Sequence, residues 1–210
     1  MKAVVMAGGF GTRLRPLTEK LPKPMAHVAN RPMMEHVVRL LAAEGIDDLE
    51  VLLHFYPEKI SSFFGDGTPW GVRMNYVNAE ADYGTAGAVK NAEERLSGTF
   101  LVISADIITD FDLSKAIDFH KERGAAVTIV LTRVPNPLQY GIVITEEDGR
   151  IVRFLEKPTW GEVFSDTINT GIYIVEPEVL DLIPPKKNWD FSKNLFPAML
   201  ARGDRLLGYV

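Results

Sequence analysis

Three glycines in four positions, Gly8, Gly9 and Gly11, are followed by Thr12, Arg13 and Arg15, and then by Lys20 and Lys23. Such glycines let the backbone turn sharply and present its N–H groups to a ligand. Backbone donors beside guanidinium and ammonium groups are what a polyphosphate needs. Only Glu19 opposes the four cations of this segment, and Pro22 and Pro24 restrict the chain on either side of Lys23. A charge run is most often a solvated surface, but flanking glycines and prolines favour a preformed anion site.

Two common phosphate loops are excluded. No glycine precedes a Lys-Ser or Lys-Thr pair, so this is not a P-loop. A dinucleotide fingerprint starting at Gly9 and Gly11 requires a third glycine where Leu14 stands. Further candidates lie downstream. Asp106 closes the apolar run Leu101-Val102-Ile103-Ser104-Ala105, with Asp110 and Asp112 close behind. Any of the three could share a divalent cation with a phosphate. The residues alone do not choose among them, although Asp112 reads best as a helix N-cap. Glu156-Lys157-Pro158 is a weak motif taken alone, and Asn169-Thr170-Gly171 reads equally as a strand bulge.

The elements that must position these residues alternate. Ala3–Met6, Val51–His54, Met74–Val77, Phe100–Ser104 and Val127–Thr132 read as short buried strands. Pro32–Glu44 reads as a helix with Met33, Met34, Val37, Val38 and Leu41 on one face. Thr85–Glu94 reads as a second, N-capped by Thr85, and a third follows Asp112 with Leu113, Ala116, Ile117 and His120 inward. Ile142–Thr145 and Ile151–Leu155, joined by Glu146-Glu147-Asp148-Gly149, read as a β-hairpin, and Ile168–Val175 as a further strand. The expected fold is α/β: a three-layer, Rossmann-like mixed sheet, mostly parallel, with helices on both faces and an inserted antiparallel hairpin. Ligands of such sheets bind beyond the carboxyl ends of the strands. The loop after the first strand, Asp106 and Glu156-Lys157 all stand at strand ends, so they could meet along one rim.

Composition sets the outer bounds. The chain has 210 residues, enough for one domain with a large core. Hydrophobic residues make up 46% and charged residues 24%, as in ordinary globular proteins. A net charge of -5 argues against a general nucleic-acid binder. Zero cysteines exclude disulfides and cysteine-bound zinc, and suit a reducing compartment. No run reaches the length of a membrane span, and Met1-Lys2 leads straight into a strand rather than a signal peptide. A cytoplasmic protein with no membrane partner is the simplest reading. His27, His36, His54 and His120 lack metal-ligand spacing and read as structural.

At this point the sequence resembles a family. Gly8-Gly9-Phe10-Gly11-Thr12-Arg13-Leu14-Arg15-Pro16-Leu17-Thr18 followed by Pro22-Lys23-Pro24-Met25 is similar to the signature of sugar-1-phosphate nucleotidyltransferases. The likeness continues through Gly84-Thr85-Ala86-Gly87, Ala105-Asp106, Tyr140-Gly141, Glu156-Lys157-Pro158 and Asn169-Thr170-Gly171-Ile172-Tyr173. It covers nearly the whole chain in order, and is nearest in look to the mannose-1-phosphate guanylyltransferase branch.

The resemblance implies that a sugar-phosphate oxygen attacks the α-phosphorus of a nucleoside triphosphate, releasing pyrophosphate. Arg13 would grip the β- and γ-phosphates, Lys23 would stabilise charge on the α-phosphate, and Asp106 would hold Mg²⁺. Gly8, Gly9, Gly11 and Thr12 would cradle the nucleotide, and Glu80, Gly84 and Thr85 would line its base side. Lys157 would bind the sugar phosphate and Glu156 the sugar hydroxyls, with Gly141, Asn169 and Thr170 completing that pocket. Uridylyl and thymidylyl relatives carry a glutamine five residues before the glycine matching Gly84. Here that residue is Ala79, and Glu80 could accept the N1–H and N2–H of guanine. GTP with mannose 1-phosphate, giving GDP-mannose, is therefore preferred, and UTP or dTTP with glucose 1-phosphate is the alternative. Transfer to a non-sugar phosphate such as phosphocholine is weaker.

The family's second metal aspartate follows a tyrosine-tryptophan segment, and this chain stops at Leu207-Gly208-Tyr209-Val210, about where that segment begins. The reading is of one catalytic domain over residues 1–210, cut short at its C-terminal end. A nucleotide-sugar-binding regulatory subunit with little activity is the competing reading, and self-association into a homo-oligomer is left open.

Overall fold

The computed structural model describes residues 1–210. In chain order the elements are β1 (Lys2–Met6), β2 (His27–Val28), β3 (Arg31–Pro32), α1 (Met33–Ala43), β4 (Asp48–Leu53), α2 (Pro57–Phe64), β5 (Arg73–Asn78) and α3 (Gly84–Lys90). There follow β6 (Phe100–Ser104), α4 (Leu113–Arg123), β7 (Val127–Arg133), β8 (Gly141–Thr145), β9 (Ile151–Glu156), β10 (Thr167–Val175), α5 (Phe196–Arg202) and β11 (Leu206–Tyr209). The main sheet runs β11-β7-β10-β6-β1-β4-β5, with β8 and β9 branching from β10. β2 and β3 form a separate two-stranded ribbon.

The two-residue period of the central strands divides the core. Ala3 and Val5 of β1, with Leu101 and Ile103 of β6, face one cluster that takes in Val37 and Leu41 of α1, Ile60 and Phe64 of α2, and Leu113 and Ile117 of α4. Val4, Phe100 and Val102 face the other, with Ala86 and Val89 of α3 and Phe196 and Met199 of α5. Successive strand residues point to opposite faces, so continuously apolar strands require helices on both. No helix is long and apolar enough to cross a membrane.

The pairing decides where a ligand can enter. β1 is parallel to both β4 and β6, and β4 is parallel to β5. The chain therefore runs outward on one side of β1 and returns on the other, leaving a crevice at the carboxyl ends of β1 and β6. β10 is antiparallel to both β6 and β7. Its first residues thus come to the rim where β6 ends. Its register against β7 shifts between Asn169 and Tyr173, the bulge expected at Asn169-Thr170-Gly171.

Most expected elements form within a residue or two of their expected bounds, including α1 and the β8–β9 hairpin. Asp112 caps α4, accepting from the Lys115 N–H at 3.1 Å, with Leu113, Ala116, Ile117 and His120 buried below. The helix expected at Thr85–Glu94 differs. α3 begins at Gly84, stops at Lys90, and has Tyr83 in the capping position. Thr85 is free of that duty because its hydroxyl is engaged by a distant segment described below.

Candidate active site

β1 ends at Met6, and the chain then enters the glycine loop. Gly11 has φ 61°, the left-handed conformation that glycine tolerates and L side chains avoid. A Cβ there would stand 2.8 Å from Cβ of Lys23 and 3.1 Å from Cγ2 of Thr18. The loop therefore presses on Lys23 directly. Thr18, almost wholly buried, donates from its hydroxyl to the Gly11 carbonyl at 2.7 Å and pins the loop. Lys23 begins a short turn after Pro22, and its ammonium is ion-paired with Asp106. Asp106 follows β6, where the Ala105 N–H donates to the Met6 carbonyl at 3.0 Å. The parallel β1–β6 pairing continues just far enough to bring lysine and carboxylate together.

Two adjoining cavities meet at this pair. The smaller, about 310 Å³, is lined by Gly8, Gly9 and Phe10, by Leu53, His54 and Val77, and by Ala79 with Ala81–Thr85. Phe10 is held at its mouth by His54, ring centroids 5.5 Å apart, and by Phe55 at 5.3 Å. The larger, about 820 Å³ and more open, is lined by Gly11–Leu14, Tyr140 and Gly141, Glu156 and Lys157, and Asn169–Gly171. Lys23, Asp106, Thr85 and Asp190 line both. One cavity is predominantly apolar with an aromatic mouth, and the other is polar with Arg13 and Lys157 in its wall.

The larger cavity is shaped by close backbone approach. A Cβ on Gly141 would stand 2.6 Å from Cζ of Phe154 and 2.8 Å from Oε2 of Glu156, so only glycine lets the carboxylate lie there. Burial pushes the Glu156 carboxyl above the usual glutamate range. Lys157 opposes that shift and the nearby Asp190 charge adds to it. Lys157 itself has φ 47°, uncommon for a residue with a side chain, and its N–H donates to Tyr140 O at 3.0 Å. Non-glycine residues held in this region gather at ligand sites, where surrounding structure offsets about 1–3 kcal/mol of strain. Asn169 donates to the Tyr173 hydroxyl at 3.1 Å and to Ser192 Oγ at 3.2 Å, and accepts from the Gly171 N–H at 2.9 Å. The Thr170 hydroxyl donates to Val130 O at 2.7 Å, which bridges the bulge.

All the residues expected from the sequence except one fall on the two cavities. Glu80 is exposed and lines neither, and Asp82, two residues on, lines the smaller one. Of the three aspartates among which the residues alone do not choose, only Asp106, the one the resemblance singles out, reaches the cavities. Asp110 is exposed, and Asp112 is engaged as a cap and by Lys115 at 2.8 Å. Sequence reasoning missed Phe10 as a wall, His54 as a lining residue, and Asp190 and Ser192 altogether. The last two sit on a segment with no phosphate-loop or strand-end signal. No three His, Asp or Glu side chains converge to form a protein-only metal cage. Asp106, beside the glycine loop and open to the cavities, fits Mg²⁺, which needs few carboxylates when phosphates supply the remaining oxygens.

Comparison with known proteins agrees with this geometry. The family model for nucleotidyl transferases matches residues 2–210. A UTP–glucose-1-phosphate uridylyltransferase of Synechocystis sp. is 40% identical over 97% of this chain and 56% of its own length. A mannose-1-phosphate guanylyltransferase of Mycobacterium tuberculosis is 40% identical over 99% of this chain and 58% of its own. The chain thus spans little more than half the length of these relatives. The crystal structure of a putative glucose-1-phosphate thymidylyltransferase from Bacillus anthracis superposes with a TM-score of 0.89 at 25% identity, covering this whole chain and 86% of that one. With a family match over almost every residue and the glycine loop, Lys23 and Asp106 gathered at one crevice, the chain belongs to the nucleotidyl transferase family.

Proposed function

We propose that this chain transfers a nucleoside monophosphate from a nucleoside triphosphate to a sugar 1-phosphate, releasing pyrophosphate and forming a nucleoside diphosphate sugar. The observation that carries the reading is the Lys23–Asp106 pair on the wall shared by an apolar and a polar cavity. The smaller cavity takes the nucleoside, with Gly8 and Gly9 under the phosphates and Gly84 and Thr85 beside the base. Thr12 and Arg13 hold the departing pyrophosphate. The larger cavity takes the sugar phosphate: Lys157 neutralises its charge, Glu156 accepts from hydroxyls, and Gly141, Asn169 and Thr170 form the wall.

A sugar-phosphate oxygen attacks the α-phosphorus in line, and the bond from that phosphorus to the β-phosphate oxygen breaks. The attacking oxygen is already anionic, so the protein need not remove a proton. Its work is alignment and neutralisation of charge between two anions. Lys23 leaves Asp106 for the α-phosphate. Asp106, so released, is the residue that would hold Mg²⁺, and the cation when bound would supply charge withdrawal from the phosphates.

GTP with mannose 1-phosphate is the preferred pair. Ala79 stands where uridylyl and thymidylyl relatives have glutamine, and Asp82 offers a carboxylate to guanine from the cavity wall. Residues 1–210 are read as one catalytic domain, and the cysteine-free sequence favours the cytoplasm. The test is pyrophosphate release with GTP, ATP, UTP, dTTP and CTP against several sugar 1-phosphates in Mg²⁺. Fastest release with GTP and mannose 1-phosphate is expected. UTP or dTTP with glucose 1-phosphate would reassign base and sugar. Nucleotide binding without release from any pair would overturn the transferase reading in favour of a regulatory one.

A further inference from the structure

The segment Lys187–Ser192 is a strap that ties together two parts of the site. At one end it lies across the first turn of α3. The Trp189 N–H donates to Tyr83 O at 2.8 Å, and the Gly87 N–H donates to Trp189 O at 2.9 Å. Asn188 Nδ2 donates to Asp82 O at 3.0 Å. The fit is tight: a Cβ on Gly84 would stand 2.7 Å from Trp189 O, and one on Gly87 would collide with the Lys187 carbonyl. At its other end the strap delivers Ser192 to Asn169, 3.2 Å from Nδ2 to Oγ, at the bulge of β10.

Asp190 stands between these ends. Its Oδ1 accepts from the N–H groups of Ser192 at 2.8 Å and Lys193 at 3.1 Å, opening a π-helical turn at Phe191–Leu195. Capping of that turn is complete with this one oxygen. Oδ2 instead accepts from the Thr85 hydroxyl at 3.0 Å, across 105 residues of sequence. The same hydroxyl accepts from the Phe191 N–H at 3.0 Å, so Thr85 is gripped twice by the strap. Asparagine would cap as well as aspartate. The second oxygen therefore serves something other than the helix end.

We propose that Asp190 is a positioning residue that couples the two pockets, transmitting the placement of Thr85 on the nucleotide side to Ser192 and Asn169 on the sugar side. The inference rests on the nucleotidyl-transfer reading of the site. A nucleotide that fixes Tyr83–Thr85 fixes the strap, and the sugar phosphate then meets a wall already in place. Linkage makes the effect reciprocal, so sugar phosphate tightens nucleotide by the same factor.

Calorimetry tests this with α,β-methylene GTP, which cannot be turned over, and mannose 1-phosphate, each titrated alone and against a saturating amount of the other in Mg²⁺. The methylene analogue of UTP with glucose 1-phosphate is the parallel arm. In the unaltered protein, one ligand should tighten the other about fivefold or more. Asp190→Ser keeps an oxygen for the cap amides of Ser192 and Lys193 but has no second polar atom to reach Thr85. It should reduce the coupling below about twofold while each ligand alone keeps its affinity within about threefold. Thr85→Val should abolish the coupling from the other end, whatever it does to nucleotide affinity itself, and Thr85→Ser, which retains the hydroxyl, should restore the coupling that Val loses. Full coupling in Asp190→Ser, or equal weakening of each ligand alone, would overturn the proposal, the second outcome marking a merely structural role. Binding of both ligands with no mutual effect in the unaltered protein would also overturn it while leaving the transfer reading intact. Failure to bind either pair would remove that reading and the inference with it.

Discussion

Lys23 and Glu156 carry the sharpest expectations because each is held by something other than its own backbone. Lys23 lies against Gly11 and is paired with Asp106. On the proposed reading, its charge would be needed most where negative charge builds on the α-phosphate. Lys23→Ala should lower the turnover number by about 100- to 1,000-fold, with a smaller loss of nucleotide affinity, read from pyrophosphate release and calorimetry side by side. Glu156 is held above the usual glutamate range by burial. Its ionised form is therefore disfavoured by the fold, and stability falls as pH rises from the ordinary glutamate range through the raised value. Glu156→Gln should raise the melting temperature at pH 7 and leave it unchanged below about pH 4. If the carboxylate binds sugar hydroxyls, native affinity for sugar phosphate falls as pH drops through that raised value. The glutamine variant, weaker throughout, should lose that dependence.

The elements of the site succeed through their ends. Strand β1 hands the chain to a loop whose left-handed Gly11 leaves room for Lys23. Gly11→Ala would put a methyl group 2.8 Å from Cβ of Lys23 in a backbone conformation alanine resists. The expected outcome is a loss of about 1–3 kcal/mol in denaturant unfolding and turnover reduced at least tenfold. This part of the site was legible because its cause is local: glycine, proline and charge act on neighbours in sequence. The cap of α4 at Asp112 was legible for the same reason. Thr85 was misread as a cap because Thr beside an apolar run is a local signal, whereas its actual partners, Asp190 and Phe191, lie more than a hundred residues away.

The whole molecule is a sheet clasped by two cores, and the second core reaches the lining of the larger cavity at Tyr173. Phe196 is fully buried, with ring centroids 5.1 Å from Tyr173, 5.7 Å from Phe191 and 5.5 Å from Phe154. Phe154 stands beneath Gly141, Tyr173 holds Asn169, and Phe191 opens the turn after Asp190. Phe196→Leu should lower unfolding free energy by about 1–3 kcal/mol. It should also raise KM for the sugar 1-phosphate several-fold while changing KM for the triphosphate less. Equal shifts in both constants would show that this aromatic cluster does not favour one pocket.

The composition of the glycine loop, the alternation of strand and helix, and the cations and carboxylates at strand ends were all legible from residue order alone. Those follow from glycine and proline stereochemistry and from apolar periods of 2 and 3.6, all read within a few residues. Packing across the sheet was needed to show that Asp106 meets Lys23, that Glu80 lines neither cavity while Asp82 lines the smaller, and that β10 inserts antiparallel beside β6. It alone brought Asp190 to the wall between the pockets. Strand order and register are fixed by packing between segments far apart in the chain. The glycine loop is thus one wall of a two-chambered crevice, to whose lining a strap that no local pattern marks adds Asp190 and Ser192.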